Sequence, residues 1–396
     1  MHPSEEIYCE KSNRLRGKTI VIGITGSIAA VECFSVIREL VRNGAKVIPV
    51  MTQNAIKIVA PDAIEFACGV KPITELSGQT EHITHIGDPS AADLFIVYPA
   101  TANTISKMAN GIDDTAVTSM ASVALGSKIP VAVAPAMHEH MINNPAVSKN
   151  LGTLAEWGVH IIGPHRDGVR AKVASKEEIV SWAIRLLSRT DLSGRRILII
   201  GGRSEEPIDS MRMITNRSTG MMALALAKRA FERGADVELW MGGCSTTLPD
   251  FLKTKRFTEV SDLVEMLDMI DHDLVIMPAA LADFTPAKKV DGKIPSTASF
   301  DIKLKLVPKV LPMIRKRCDN VIGFKAESGL TAEELEKKAR QRLEEYDLKA
   351  VVANDIDVAG RSTSSAILVC RDGSKNITGT KIEVSDGILN YCAEIL

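Results

Sequence analysis

The sequence predicts an α/β chain of two domains, both with mainly parallel sheets. One strand-turn-helix plan occurs twice. "TIVIGITGSIAA" (19–30) and "ADLFIVYPATANT" (92–104) are echoed by "RILIIGGRSEE" (196–206) and "HDLVIMPAALADF" (272–284), with starts about 177 residues apart. The strands read as continuous apolar runs, as strands covered on both faces do. At 396 residues the chain exceeds the ~250–300 residues at which single cores stop growing.

The elements follow in order. Residues 1–17 read as an N-terminal tail: "MHPSEEIYCEKSNR" is acidic where a secretory signal would be basic, which points to a cytoplasmic protein. Residues 19–24 form an apolar, β-branched run, and the Gly, Thr and Ser after it turn into a helix over about 29–42. Cys33, Phe34, Ile37, Leu40 and Val41 fall on one side of that helix, and Glu32, Arg38, Glu39 and Arg42 elsewhere, so one face meets a sheet. Gly44 caps it before a strand over 46–52, completing a βαβ unit. Further strands are expected over 94–98 and 130–134, with a weaker one over 159–162. "SRTDLSGRR" (188–196) is polar and turn-rich. It divides a first domain (18–188) from a linker (189–194) and a second domain (195–396). The second βαβ unit takes a strand over 197–200, a long loop from Gly201 to Gly220, a helix over 221–233, Gly234 and a strand over 236–240. "ADFTPAKKVDGKIPSTAS" (282–299) is too rich in Pro, Gly and Lys for a core and reads as a functional loop. A charged helix (332–346) and a strand (350–355) complete the domain.

Bulk properties narrow the function. A composition of 45% hydrophobic and 24% charged residues is that of an ordinary globular protein. The formal charge of -1 argues against a nucleic-acid partner, and no apolar run is long enough for a membrane span. Seven scattered cysteines without a CxxC pair fit reduced thiols, not a disulfide framework or a zinc site.

Candidate site residues cluster after the strands. "GITGSIAA" lacks the GxGxxG spacing. Its small residues still let a phosphate approach the helix start, with Thr25 and Ser27 hydroxyls as added donors; the other reading is a closely packed turn. Thr101, Asn103 and Thr104 stand beyond a strand's carboxyl end, where parallel sheets bind ligands, and suit an uncharged heterocycle or a phosphate, or else a helix cap. His82 and His85 lack the carboxylate or thiolate partners of a metal site, so one of them as acid, base or carboxylate binder is favoured. In "APAMHEHMINNP" (134–145), Met137 reads as a core filler and His138 as a substrate contact. In the second domain, the length of the 201–220 loop favours function over connection. Ser218, Thr219 and Gly220 offer a phosphate site at a helix start, or caps alone. Asp283, with Lys293 ten residues on, suits a magnesium nucleotide, and equally a salt-bridged surface loop.

From about Lys18 the chain resembles the bifunctional phosphopantothenoylcysteine decarboxylase/phosphopantothenate-cysteine ligase family of coenzyme A biosynthesis, in its archaeal branch. "GITGSIAA", "HIGD", "PATANTISKMANGIDD" and "PAMHEHM" correspond in order to the decarboxylase half; the 201–220 loop, "GFKAES" (323–328) and "VANDI" (352–356) correspond to the ligase half. The resemblance implies a flavodoxin-like, flavin-dependent cysteine decarboxylase domain followed by a Rossmann-like ligase domain. It implies FMN, with Gly26, Ser27 and Ile28 near its phosphate and Thr52, Thr101, Ala102 and Asn103 also in contact. His85 is then the catalytic histidine, with His138 at the substrate carboxylate. In the ligase half it implies a nucleotide site of Ser218, Thr219, Gly220, Ala279, Ala280, Asp283, Lys293, Phe324, Lys325 and Asn354, with Asp283 also on Mg2+. Lys293 is the essential loop lysine, and Asn216 binds the carbonyl region of the intermediate. The implied reactions join 4'-phosphopantothenate to L-cysteine with CTP through an acyl-cytidylate, then decarboxylate the product oxidatively to 4'-phosphopantetheine and CO2. Trimeric decarboxylase units, assembled into a dodecamer through ligase dimers, are the implied homo-oligomer.

The chain departs from the bacterial pattern of that family. His138 replaces the asparagine of PAMN, and "DGVRAKVAS" (167–175) stands where an Ala-Cys-Gly lid supplies a proton, leaving the late proton donor open. Pro295 and Ser296 interrupt the lysines after Lys293, while Lys288 and Lys289 lie before it. One competing reading, an NAD(P)-dependent oxidoreductase, needs a GxGxxG turn with an acidic residue ~20 positions on, and neither turn supplies it. A ligase carrying its flavin domain as a scaffold, or a flavin regulatory protein, is the other.

Overall fold

The computed structural model describes residues 2–87, 92–167, 170–295, 301–355 and 363–396. Of the segments read above, Asp88, Gly168, Val169, Ile356 and the stretch 296–299 lie outside the described residues. The chain divides into two compact units, Met1–Arg189 and Thr190–Leu396.

The first unit is built on Thr19–Ile24 (β1), Lys46–Met51 (β2), Leu94–Ala100 (β3), Val131–Pro135 (β4) and His160–Ile161 (β5). They form one sheet in the order β2-β1-β3-β4-β5, parallel throughout. This is the flavodoxin-like order, whose direction reverses between β1 and β3. On one face the helix Cys33–Arg42 buries Val36, Ile37 and Leu40; on the other, the helix Ala116–Gly126 buries Val117, Met120 and Ala121. A short antiparallel hairpin, His165–Asp167 (β6) and Arg170–Lys172 (β7), occupies some of the region where the sequence lacks the lid cysteine.

The N-terminal stretch, read above as a tail, packs on the first unit. Leu15 is fully buried in the first core. The backbone N–H groups of Cys9, Lys11 and Leu15 donate to the carbonyls of Val41, Arg42 and Asn43 at 3.3, 3.0 and 2.8 Å. A helix end leaves its last carbonyls without intrahelical partners, and residues 9–15 supply them.

The second unit begins with Arg196–Gly201 (β8). The expected long loop contains a small hairpin, Glu205–Pro207 (β9) with Met213–Thr215 (β10). Next come Asp236–Met241 (β11), Lys253–Arg256 (β12), Leu274–Met277 (β13), Phe284–Pro286 (β14), Leu304–Leu306 (β15), Val321–Glu327 (β16), Ala350–Asp355 (β17), Thr363–Cys370 (β18) and Gly373–Thr380 (β19). The main sheet runs β12-β11-β8-β13-β16-β17-β18-β19. Its first six strands are parallel, and the β18/β19 hairpin closes it antiparallel. The helix Met221–Glu232 packs so closely on β8 that a Cβ on Gly201 would lie 2.0 Å from that of Ala223. Partly buried ion pairs tie that helix end outward: Arg233 to Asp191 at 2.5 Å and Arg229 to Asp386, on the C-terminal helix Lys381–Ile395, at 2.7 Å. Among the described residues no helix is long and apolar enough to cross a membrane.

Gly201→Ala is expected to destabilise the second unit by about 1–3 kcal/mol through overpacking. Adding Ala223→Gly should return some of that loss, and urea unfolding of both proteins checks it.

Candidate functional site

Each parallel sheet opens a crevice where its strand order reverses. In the first unit a cleft of about 710 Å³ lies past the carboxyl ends of β1, β2 and β3, lined by Gly26, Thr52, Asn54, Thr101, Ala102 and Asn103, among others. Thr25, which precedes Gly26 of the lining, has a buried hydroxyl that donates to Pro99 O at 2.7 Å and accepts from Thr101 N at 3.0 Å. That one side chain bridges β1 to the end of β3. Thr101, not Thr104, caps the helix Ala102–Ala109, accepting from Thr104 N. Thr52 caps the turn Gln53–Ile56. Gly26 faces Asn54 so closely that a Cβ would lie 2.5 Å from that residue's own, so the turn does pack tightly, as one sequence reading holds. The one lysine of the lining, Lys107, is neutralised by Asp114 at 2.7 Å. Glu75 and Asp113 are further acids of the lining; the neutral donors and acceptors of Thr52, Thr101 and Asn103, in a space of this size, suit a planar heterocycle with a pendant phosphate.

The remaining residues named in the sequence do not line this cleft. Ser27 caps the short turn Ile28–Glu32, and Ile28 is 78% exposed. His85 sits half-buried on the turn Ile83–Gly87; its neighbour His82 has a buried Nδ1 without a partner among the described residues. His138 is exposed and caps the turn Glu139–Ile142, its Nδ1 accepting from His140 N at 3.2 Å. A backbone N–H only donates, so Nδ1 is the acceptor and Nε2 is left to carry the proton. Met141, at the far side of that turn, reaches the cleft wall.

In the second unit the reversal lies between β8 and β13. Gly202 adopts φ +79°, and a Cβ there would lie 2.8 Å from Gly243 O. Arg203 bridges to Ala280, and the fully buried Ser204 accepts from Ala282 N at 2.9 Å. Gly220, at φ +76°, starts the helix Met221–Glu232, with Ser218 and Thr219 oxygens accepting from Gly220 N and Met221 N at 3.4 and 3.5 Å. The N-cap itself is Gly220, so no side chain caps this helix, and the two hydroxyl contacts are local ones just before its start. Asn216 donates its amide to Ala280 O and Leu281 O at 3.1 and 2.9 Å. Both partners are carbonyls, which fixes the amide's orientation and leaves Oδ1 as an acceptor. In this arrangement the oxygen that Asn216 has left can accept an N–H. Phe324 and Lys325 on β16 run beside Asn354 on β17 at the same carboxyl edge. Lys325 pairs with Glu327 at 2.7 Å.

Asp283 is exposed and pairs with Lys309 at 2.5 Å; no group of three or more potential ligands for a metal forms among the described residues. Magnesium takes one or two carboxylates plus phosphate oxygens, so Asp283 fits as a single protein ligand to an ion carried by a triphosphate. Lys293 is exposed. Asp209, which the sequence reading did not single out, has a fully buried carboxylate. Burial opposes its charge, but N–H donors from Met211, Ile294 and Arg212, with the Arg212 guanidinium, hold the carboxyl down at about 2. An unfolded aspartate titrates at about 3.9, so this group's stabilisation is complete above about pH 4 and is lost as pH falls through about 2.

Comparison with known proteins agrees with this two-site layout. Residues 9–188 match the flavoprotein family and residues 192–396 the DNA/pantothenate metabolism flavoprotein C-terminal domain. The chain is 41% identical over 407 residues to the coenzyme A biosynthesis bifunctional protein CoaBC of Thermococcus kodakarensis, with both chains covered entirely. It is 34% identical to that of Methanocaldococcus jannaschii, across 100% of this chain and 98% of the other. With that of Bacillus subtilis it shares 31%, across 96% and 98%. With both halves matched by family models and with relatives at 41% and 34% identity aligned over all of this chain, the chain belongs to the CoaBC family of bifunctional coenzyme A biosynthesis proteins.

Proposed function

We propose that the second unit joins 4'-phosphopantothenate to L-cysteine with CTP through an acyl-cytidylate, and that the first unit decarboxylates the product to 4'-phosphopantetheine with FMN. The observation that supports this is the pair of strand-order reversals, the first opening on a cleft with Thr52, Thr101 and Asn103 in its lining and the second carrying Asn216 against Ala280 and Leu281. The reaction order is the reverse of the chain order.

In the first unit Thr101, Asn103 and the Thr25–Gly26 turn would hold FMN, and Thr52 would flank it. FMN there supplies the two-electron oxidation of the cysteinyl group that makes loss of CO2 feasible. His138 supplies a donor for the substrate carboxylate. Asparagine is a good helix cap whose amide can still donate outward. Histidine at 138 caps with Nδ1 and donates with Nε2, so the exchange preserves both duties. His85 is the acid or base, and its place off the cleft of its own unit supports a site completed by a second copy. Homo-oligomerisation through trimeric decarboxylase units, grouped into dodecamers by ligase dimers, supplies such a neighbour. In the second unit Asp283 holds Mg2+ with the CTP phosphates. Lys293 neutralises charge developing during activation and aminolysis. Asn216 Oδ1 accepts from the cysteine amine. Seven free cysteines support a reducing cytoplasm as the setting.

Lys293→Gln should lower CTP-dependent coupling by roughly 100-fold or more while leaving the flavin spectrum intact; loss of flavin alongside would instead report misfolding. His138→Ala should cost decarboxylation about 10- to 100-fold, the range for a hydrogen bond to a charged group, with His138→Asn close to wild type in an anaerobic assay on phosphopantothenoylcysteine. An Asn variant as inactive as the Ala variant sinks the equivalence. Thr25→Val leaves Pro99 O and Thr101 N without their partner, at about 1–3 kcal/mol each. Purified protein should then carry clearly less flavin by visible absorbance.

A further inference from the structure

We propose that Asp209 is a positioning residue for Lys293: its buried carboxylate fixes the backbone next to that lysine. This rests on the reading of Lys293 as the ligase's charge-stabilising group. Lys293 lies on an irregular segment outside any helix or strand, and among the described residues no hydrogen bond or ion pair holds its ammonium. A catalytic group must be held to within about 0.5 Å by its surroundings, so the backbone has to supply the order that the side chain lacks.

The hairpin segment 208–212 supplies it. Val290 N donates to Ile208 O at 3.1 Å, and Ser210 N donates to Gly292 O at 3.2 Å. Lys289 is anchored separately to Glu259 at 2.6 Å. Ile294, the residue after Lys293, is held at both its N–H and its C=O, and both ties run through Asp209. Ile294 N donates to Asp209 Oδ2 at 3.0 Å. Arg212 donates to Ile294 O at 3.2 Å and is itself held by the same Oδ2 at 2.7 Å.

The two carboxylate oxygens divide the work. Oδ1 accepts from Met211 N and Arg212 N at 2.8 and 2.7 Å and closes the local turn, whereas Oδ2 serves only Ile294 and the Arg212 guanidinium. Asparagine keeps the first oxygen and sets an NH2 against two donors in place of the second. Asp209→Asn therefore cuts the tie to the Lys293 segment while sparing the turn.

The test uses the full chain. Asp209→Asn should lower kcat of CTP-dependent coupling roughly 10- to 100-fold, the scale of a misplaced catalytic group. KM for CTP should stay within about twofold, which certifies a folded ligase site, and decarboxylation and flavin content should not change. Trypsin should cut after Lys293 faster than in the wild type, and Asp209→Asn added to Lys293→Gln should cost nothing further. Unchanged kcat and unchanged cleavage, or a full additional loss in the double variant, overturns the positioning role. If Lys293→Gln itself couples at the wild-type rate, the catalytic reading of Lys293 falls instead. Hydrogen exchange on the unmutated protein checks the contact without any variant: the Ile294 amide should be strongly protected and the Lys293 amide not, and equal exchange at both overturns the tie.

Discussion

Where the strand order of a parallel sheet reverses, the connections leave neighbouring strands toward opposite faces, and the backbone just past the strand ends has to find partners outside the ladder. Both units meet that constraint with a buried hydroxyl just past the first strand. Thr25 spans the gap between β1 and β3; Ser204, receiving Ala282 N, spans that between β8 and β13. An unmade buried hydrogen bond costs about 1–3 kcal/mol, so neither crevice is stable without such a bridge.

From this common solution the two units diverge in how they arrange the crevice walls. The first uses short helical starts, with Thr52 and Thr101 each capping its own. The second uses loops bound to other loops: Asn216 to Ala280 and Leu281, Asp209 to Ile294. Caps are local and fix backbone near themselves. Loop-to-loop ties act across about 65 to 85 residues and place charged groups such as Lys293 where local structure would leave them unset.

This difference also decides what the sequence made legible. β1, β2 and the helix between them declare themselves because apolar runs, a 3.6-residue stripe and a terminal glycine are local signals. The crevice residues of the first unit are equally local, following strand ends. The role of residues 9–15 was hidden, since their partners are carbonyls of Val41, Arg42 and Asn43. Asp209 was hidden for the same reason: nothing near it in sequence shows that Ile294 is its partner. The donors spent by Asn216 escape any reading of residue type alone. The β18/β19 hairpin did carry a signal, the polar Arg371–Asp372 turn followed by Gly373 between two β-rich runs, and the C-terminal helix carried another in the box of Thr380 and Glu383.

The cap at His138 bears on how such sites drift. Histidine and asparagine codons differ at the first base alone, so the exchange is one mutational step between side chains that can each accept a backbone N–H and still offer a donor outward. A signature written in letters breaks at this position. One written as an acceptor beside a donor, at the start of a helical turn, passes through it unchanged, and would group lineages that letter patterns separate.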